Sequence, residues 1–265
     1  TDNWKKEAWC LKLDIKGFFM SIDKIILWRK LKDYLLAVYH YGNLPIMMNL
    51  LETILFTDPT QGCQFCSPAS KWQNLDPSKS LFTAGKGLGL PIGNLTSQIM
   101  ANFYLSFLDH YVKHDLGIEM YGRYVDDFFL IHEDKEYLKR CLYGIERFLH
   151  DELHLRLNPK KVYLQPVNHG VKFLGVVVEP GHMNVARRTV SNFKKTIDST
   201  NFAVNDHRPS KHEVQKSISS INSYLGHLSH YNTFSVRNHE IGRLDARFSK
   251  RAEKDKKIRK ISFIC

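Results

Sequence analysis

Tyr124-Val125-Asp126-Asp127 is flanked on both sides by strand-forming sequence, Glu119 to Tyr124 before it and Phe128-Phe129-Leu130-Ile131 after it. Phe, Tyr, Ile and Val favour extended, half-buried backbone, and two such runs meeting at a short polar turn predict a β-hairpin. Aspartate is depleted in strands and costly beside apolar neighbours unless it is paired or bound to a metal. A hairpin with two carboxylates at its tip therefore suits the presentation of charge to a divalent cation. An ordinary solvated turn, in which Asp is common, is the alternative.

A second carboxylate separates the two readings. Trp9-Cys10-Leu11-Lys12-Leu13-Asp14-Ile15 alternates around Leu11, Leu13 and Ile15 and reaches Asp14 at its end. Successive strand residues point to opposite faces. If these strands are neighbours, only one of Asp126 and Asp127 shares a face with Asp14; Asp126 is taken here, with Asp127 supporting it from behind. Two convergent carboxylates suit Mg²⁺, which takes oxygen ligands and completes its shell with water and substrate phosphates. A pair of such ions holds an attacking 3′-oxygen and a leaving pyrophosphate in line.

Three further stretches keep a fixed order with these two. The chain reads Leu13-Asp14-Ile15-Lys16-Gly17-Phe18-Phe19, then Gly89-Leu90-Pro91-Ile92-Gly93-Asn94-Leu95-Thr96-Ser97-Gln98, then Tyr124-Val125-Asp126-Asp127. Leu157-Asn158-Pro159-Lys160-Lys161 and Phe173-Leu174-Gly175 follow. Together, over roughly residues 9–178, they resemble the palm of reverse transcriptases. Most members have Gln where Ile92 stands and Pro where Gln98 stands. Ile-Gly-Asn-x-Thr-Ser-Gln resembles the enzymes of diversity-generating retroelements, and Ser223-Tyr224-Leu225-Gly226-His227-Leu228-Ser229-His230 is similar to their thumb.

The resemblance implies an α+β fold: a right-hand polymerase palm, its antiparallel sheet packed on helices, followed by a helical thumb. The palm with part of the fingers–palm insertion would span residues 1–185, and the thumb with its basic tail residues 186–265. Thirteen residues precede Asp14, so the fingers, whose basic side chains grip the incoming triphosphate, are expected to be largely missing. The implied activity is error-prone, adenine-mutagenic RNA-directed DNA synthesis by two-metal nucleotidyl transfer. Its partners would be an RNA template, the RNA/cDNA duplex, dNTPs and a basic accessory variability protein. By the same resemblance Asp14, Asp126, Asp127 and the Ile15 carbonyl hold two Mg²⁺ ions, with Mn²⁺ the alternative. Pro91, Ile92, Gly93 and Gln98 line the nucleotide site, and Phe173-Leu174-Gly175 is the primer grip. Phe19 matches the steric gate against a 2′-hydroxyl, or else is a core ring. Lys161 matches a lysine that protonates pyrophosphate, or else is a surface lysine. A group II intron, retron or phage-defence enzyme, or a non-catalytic RNA-binding relic, remains the alternative.

At 265 residues and 43% apolar content the chain can bury a full core. No run of 18 apolar residues predicts a membrane span, and the N-terminus lacks the pattern of a signal peptide. Five cysteines, an odd count, fit a reducing cytoplasm, and the resemblance implies a bacterial or phage-encoded protein there. The net charge is +11, and residues 243–265 hold nine Lys or Arg against three acids. Of these, Arg243, Arg247, Lys250, Arg251, Lys256 and Lys257 are the candidate phosphate contacts; a solvated end is the alternative.

Helical spacing predicts helices after Asp14, over Leu44–Phe56, from Asn94 to His114, and over Lys135–Leu153. The four-residue stripe Leu95, Ile99, Phe103, Phe107, Tyr111 is expected to face the core. Residues 57–88 read as the longest loop, and within it Cys63 and Cys66 are reduced cysteines or half a zinc site. Val171 to Val178 reads as one strand, and strands are expected to vanish after Thr189.

Overall fold

The computed structural model describes residues 7–64, 66–68, 70, 72, 75–179, 181–206, 210–246, 252–254 and 258–263. The chain divides into two compact units, Thr1–Pro166 and Val167–Cys265.

The first unit starts with β1 (Trp9–Asp14), the short helix α1 (Phe18–Ser21), and helices α2 (Lys24–Val38) and α3 (Leu44–Phe56). After the long connection come α4 (Leu95–His110), the hairpin strands β2 (Met120–Tyr124) and β3 (Asp127–His132), α5 (Lys135–Leu153) and β4 (Tyr163–Pro166). The four strands form one antiparallel sheet in the order β2-β3-β1-β4. Strand alternation sends Leu11, Leu13, Phe128 and Leu130 to one face, where they are fully buried against Tyr104, Leu105 and Leu108 of α4 and Ile145 and Leu149 of α5. Burying each such side chain contributes about 1.5–3 kcal/mol. The buried Tyr104 satisfies its hydroxyl by donating to the Leu153 carbonyl at 2.7 Å. Asp134 caps α5 by accepting from the N–H groups of Glu136 and Tyr137.

Two expectations change here. The core face of α4 is Met100, Ala101, Tyr104, Leu105 and Leu108, while Leu95 and Ile99 are exposed. A strict four-residue repeat drifts around a helix of 3.6 residues per turn, so the mixed three- and four-residue spacing tracks the buried face instead. The helix also ends at His110 and passes into a π turn, Tyr111–Asp115. Within the 57–88 connection, Pro77–Lys79 and Leu81–Thr83 form 3₁₀ turns. That segment is anchored: the N–H groups of Gly89 and Leu90 donate to the carbonyls of Ile22 and Phe19 at 2.9 and 2.8 Å.

The second unit contains the meander β5 (Val171–Phe173), β6 (Val176–Glu179) and β7 (His182–Val185), then α6 (Arg187–Asp206), α7 (Lys211–Leu228) and α8 (Phe234–Gly242). A final antiparallel pair, β8 (Ala252–Lys254) and β9 (Ile261–Phe263), follows. Compact packing divides the chain after Pro166, and β5, β6 and β7 form a three-stranded sheet of their own. The single strand expected over Val171–Val178 is a hairpin. Leu174 (φ 49°) and Gly175 (φ 83°) both take left-handed backbone, the signature of a type I′ two-residue turn. The strands after Thr189 correct the expectation of helix alone. Ile258 and Ile261, almost hidden among basic residues in the sequence, are buried with Phe193, Ile197, Ile221 and Leu225 in the core of this unit.

Candidate active site

Asp14 ends β1 at the middle of the four-stranded sheet, and its main chain is held on both sides. The Asn158 N–H donates to the Asp14 carbonyl at 2.8 Å, and the Ile15 N–H donates to the Asp126 carbonyl at 3.1 Å. The chain then turns sharply at Gly17, in left-handed backbone (φ 56°), where a Cβ would lie 3.1 Å from the Ser78 carbonyl oxygen. Glycine is needed there for both reasons. The turn sends Phe18 into the core and leaves Phe19 half-buried beside it, ring centroids 5.4 Å apart.

The Asp14 carboxylate is nearly buried and receives Lys161 Nζ on Oδ2 at 2.6 Å and Asn158 Nδ2 on Oδ1 at 3.4 Å. The hydrogen bond to Asp14 raises the pKa of Lys161 and keeps it charged. Asp126 sits in the two-residue turn Val125-Asp126. Burial, reinforced by the neighbouring carboxylates of Asp14 and Asp127, raises its pKa above the ordinary carboxylate value. Asp127 forms an ion pair with Lys12 Nζ at 2.9 Å through Oδ2, while its Oδ1 is buried without a hydrogen-bond partner.

Strand parity selected Asp126 as the partner of Asp14, and the register differs. Asp127 is the residue directly opposite Asp14, and opposite residues of an antiparallel pair share a face. Asp126 escapes parity because it lies in the turn, outside the ladder. From there it joins Asp14 at one cleft of ≈ 620 Å³.

That cleft is lined by Asp14, Ile15, Phe19, Ile92, Asp126 and Lys161, six of the residues expected from the sequence. Pro91 and Ile92 line a neighbouring hollow of ≈ 350 Å³ with Phe82 and Trp72. Gly93, in left-handed backbone (φ 106°), and Gln98, exposed on the first turn of α4, line neither. Phe173, Leu174 and Gly175 form the β5–β6 turn of the second unit. Arg243 directs its guanidinium to Glu240 and Asp198, both at 2.5 Å. Arg247, Lys250, Arg251, Lys256 and Lys257 lie outside the described residues. Cys63 and Cys66 are exposed and outside any disulfide, and among the described residues no cluster of three or more His, Cys, Asp or Glu forms a metal cage.

The cleft also holds residues that sequence reasoning passed over: Lys16, Asp76, Ser78, Lys79, Asn158 and Lys160. A signal for them existed. Asp76-Pro77-Ser78-Lys79 and Asn158-Pro159-Lys160-Lys161 share one pattern, an Asx cap, Pro at the first turn position and Lys at the end. Each folds as a 3₁₀ turn whose Asx side chain accepts an N–H two residues on. Both turns open on the same cleft and deliver Lys79 and Lys161 to it.

The sequence profile of the reverse transcriptase (RNA-dependent DNA polymerase) family matches residues 1–178. Among solved structures the chain is similar to apo telomerase from Candida tropicalis, with a TM-score of 0.51 at 13% identity, covering 92% of this chain and 42% of that one. It also aligns with telomerase from Candida albicans in complex with the TWJ fragment of telomeric RNA, at TM-score 0.43 and 13% identity, over 91% of this chain and 46% of that one. The chain thus spans less than half the length of these telomerase chains, and at such identity the likeness concerns the fold. No curated protein sequence matches it.

Proposed function

The chain belongs to the reverse transcriptase (RNA-dependent DNA polymerase) family, and from that premise we propose that it copies RNA into DNA at the Asp14–Asp126 cleft. One observation carries the reading: two carboxylates, one ending β1 and one in the β2–β3 turn, converge on a single cleft whose rim supplies Lys16, Lys79, Lys160 and Lys161. Acids at the centre with cations around them match the charge pattern of a nucleoside triphosphate and its metals.

The donor set fits Mg²⁺. Asp14, Asp126 and the Ile15 main-chain oxygen are hard oxygen ligands at the cleft, and Asp127, opposite Asp14 in the sheet, keeps a buried carboxylate oxygen that no protein donor satisfies. Burial first, and then the neighbouring carboxylates of Asp14 and Asp127, raise the pKa of Asp126, so ionised it crowds negative charge into a partly dehydrated site. When bound, Mg²⁺ would neutralise that charge and align the attacking and leaving oxygens. The protein's own share is positioning and electrostatics, which supply most of the catalysis in phosphoryl transfer. Lys161, charged and in contact with Asp14, would stabilise the departing pyrophosphate or protonate it. Lys79 and Lys16 face the same space and would take the outer phosphates of the incoming dNTP. Phe19, held by its carbonyl's bond from the Leu90 N–H, would close the sugar pocket against a 2′-hydroxyl.

In the finer reading the enzyme belongs to a diversity-generating retroelement, mutagenises at template adenines and works with a basic accessory protein. Ile92 supports it, because an exposed branched hydrocarbon on the cleft wall offers a nucleotide no hydrogen bond. The first unit would then serve as the palm, and the helices of the second as the thumb, with the basic residues after Arg243 on template or primer phosphates.

Primer extension on an RNA template with Mg²⁺ tests the reading. The parent chain should extend, and Asp126→Asn should not, since it removes ligand charge at constant size. Extension by the variant at the parental rate would sink the assignment.

A further inference from the structure

Val125 occupies a backbone position suited to glycine. It is the first central residue of the turn between Tyr124 and Asp127, with φ at 57°, and a β-branched residue there is a genuine outlier. Such a conformation persists only where the surroundings over-determine it. Its side chain packs against the core of the first unit. Its carbonyl oxygen accepts from Arg123 Nη1 at 3.1 Å.

Arg123 is itself held from α4. Its Nε donates to Asp109 Oδ1 at 2.7 Å and its Nη2 to Asp109 Oδ2 at 2.5 Å, a bidentate pair with planar specificity. Nη1 also donates to Asn102 Oδ1 at 3.2 Å. The Tyr121 hydroxyl donates to the same Asp109 Oδ1 at 2.7 Å. The Arg123 side chain is only 11% exposed, so this is a built contact rather than a surface ion pair.

The carbonyl gripped by Arg123 belongs to the peptide bond that precedes Asp126. The carbonyl that follows Asp126 accepts from the Ile15 N–H. Both peptide planes flanking the Asp126 Cα are therefore pinned, one from α4 and one from the end of β1. With its backbone fixed on both sides, the direction of the carboxylate is fixed too, apart from side-chain rotation.

We propose that Arg123 is a positioning residue for the cleft. Through Asp109 and Asn102 it braces the strained Val125 turn, and the turn aims Asp126 at the space it shares with Asp14. The inference rests on the metal-holding role proposed for Asp126. Arg123 lines no part of the cleft, so it acts only through that carboxylate.

Mn²⁺ binding, followed by the electron paramagnetic resonance of the free ion without nucleotide or primer, separates this from catalysis. The proteins compared are the parent, Asp126→Asn, Arg123→Met, and Arg123→Met combined with Val125→Gly. Arg123→Met should weaken Mn²⁺ binding by about 10–100-fold, the range for removing a partner that orients a ligand. Glycine adopts positive φ without penalty, so the double variant should recover most of that affinity. If Asp126→Asn binds Mn²⁺ like the parent, the metal reading itself is wrong. If Asp126→Asn fails to bind while Arg123→Met binds normally, only the positioning role falls. An unrestored double variant also overturns it, because the weakening then does not run through the turn. Arg123→Lys, which keeps the charge, covers the case in which Arg123→Met does not fold; it should fold and still bind Mn²⁺ weakly. Should neither show a folded circular dichroism spectrum, Arg123 serves the fold and the proposal is rejected.

Discussion

Asp126 carries its charge against its surroundings, burial above all, and that has a consequence for stability. A carboxyl whose pKa is higher in the folded state favours folding while protonated, and the advantage is lost as pH rises through the folded value. With Asp126 raised, its ionised form weakens the fold near neutral pH. In chelator, Asp126→Asn should therefore melt higher than the parent at neutral pH. The difference should vanish well below the ordinary carboxylate range, where the group is protonated in both states; thermal melts across pH check this, and equal melts at neutral pH contradict it. Ile92 makes a second residue-level case, since it stands 68% exposed on the cleft wall. Ile92→Gln supplies a donor and an acceptor that a bound nucleotide would bury. A misplaced base would leave them unpaired at ~1–3 kcal/mol, one to two decades of discrimination at about 1.4 kcal/mol per tenfold. Sequencing cDNA made by both proteins on one template should show fewer errors for the variant, most clearly opposite adenine. Identical error spectra would place the infidelity elsewhere.

Among the elements, the two Asx-Pro turns explain how a connection that reads as loop becomes part of a site. Asp76 accepts from the Ser78 N–H and hydroxyl at 2.9 and 2.8 Å, and these bonds hold its carboxyl below the usual range. Thr83 Oγ1 donates to the Pro77 and Ser80 carbonyls and ties this turn to the next. Ser78 is packed against the Gly17 bend directly after Asp14. These bonds fix the turn that carries Lys79 to the cleft. Lys79→Gln should raise the dNTP KM about 1.4- to fivefold with kcat little changed, the range of an exposed ion pair at ~0.2–1 kcal/mol. Steady-state primer extension over a dNTP series measures it. A fall in kcat at constant KM would move Lys79 from substrate binding to the chemical step.

At the scale of the whole molecule, the described part of the basic C-terminal stretch contributes to the core of the second unit. Ile258 and Ile261 are buried, the Ile258 carbonyl accepts from Arg237 Nη1 at 2.5 Å, and Asn222 exchanges two hydrogen bonds with the Ile261 main chain. Deleting residues 243–265 would remove core, so charge must be removed by substitution rather than truncation. Changing Lys250, Arg251, Lys256 and Lys257 to Gln should flatten the dependence of log K for single-stranded RNA on log salt. The slope should fall by roughly 0.7 for each phosphate that these side chains neutralise. A slope identical to the parent's would return these charges to solvent. The sequence by itself determined the hairpin, the strand ending on Asp14, the order of the motifs and hence the family, because these rest on local alternation and turn chemistry. Only the tertiary structure decided which carboxylate opposes Asp14, since register depends on where the turn residues fall. It alone showed that Leu95 and Ile99 face solvent, that Lys79 shares a cleft with Asp14 and Asp126, and that Arg123 braces Val125. Those outcomes depend on which surfaces meet, and side chains distant along the chain carry no local pattern that records their meeting.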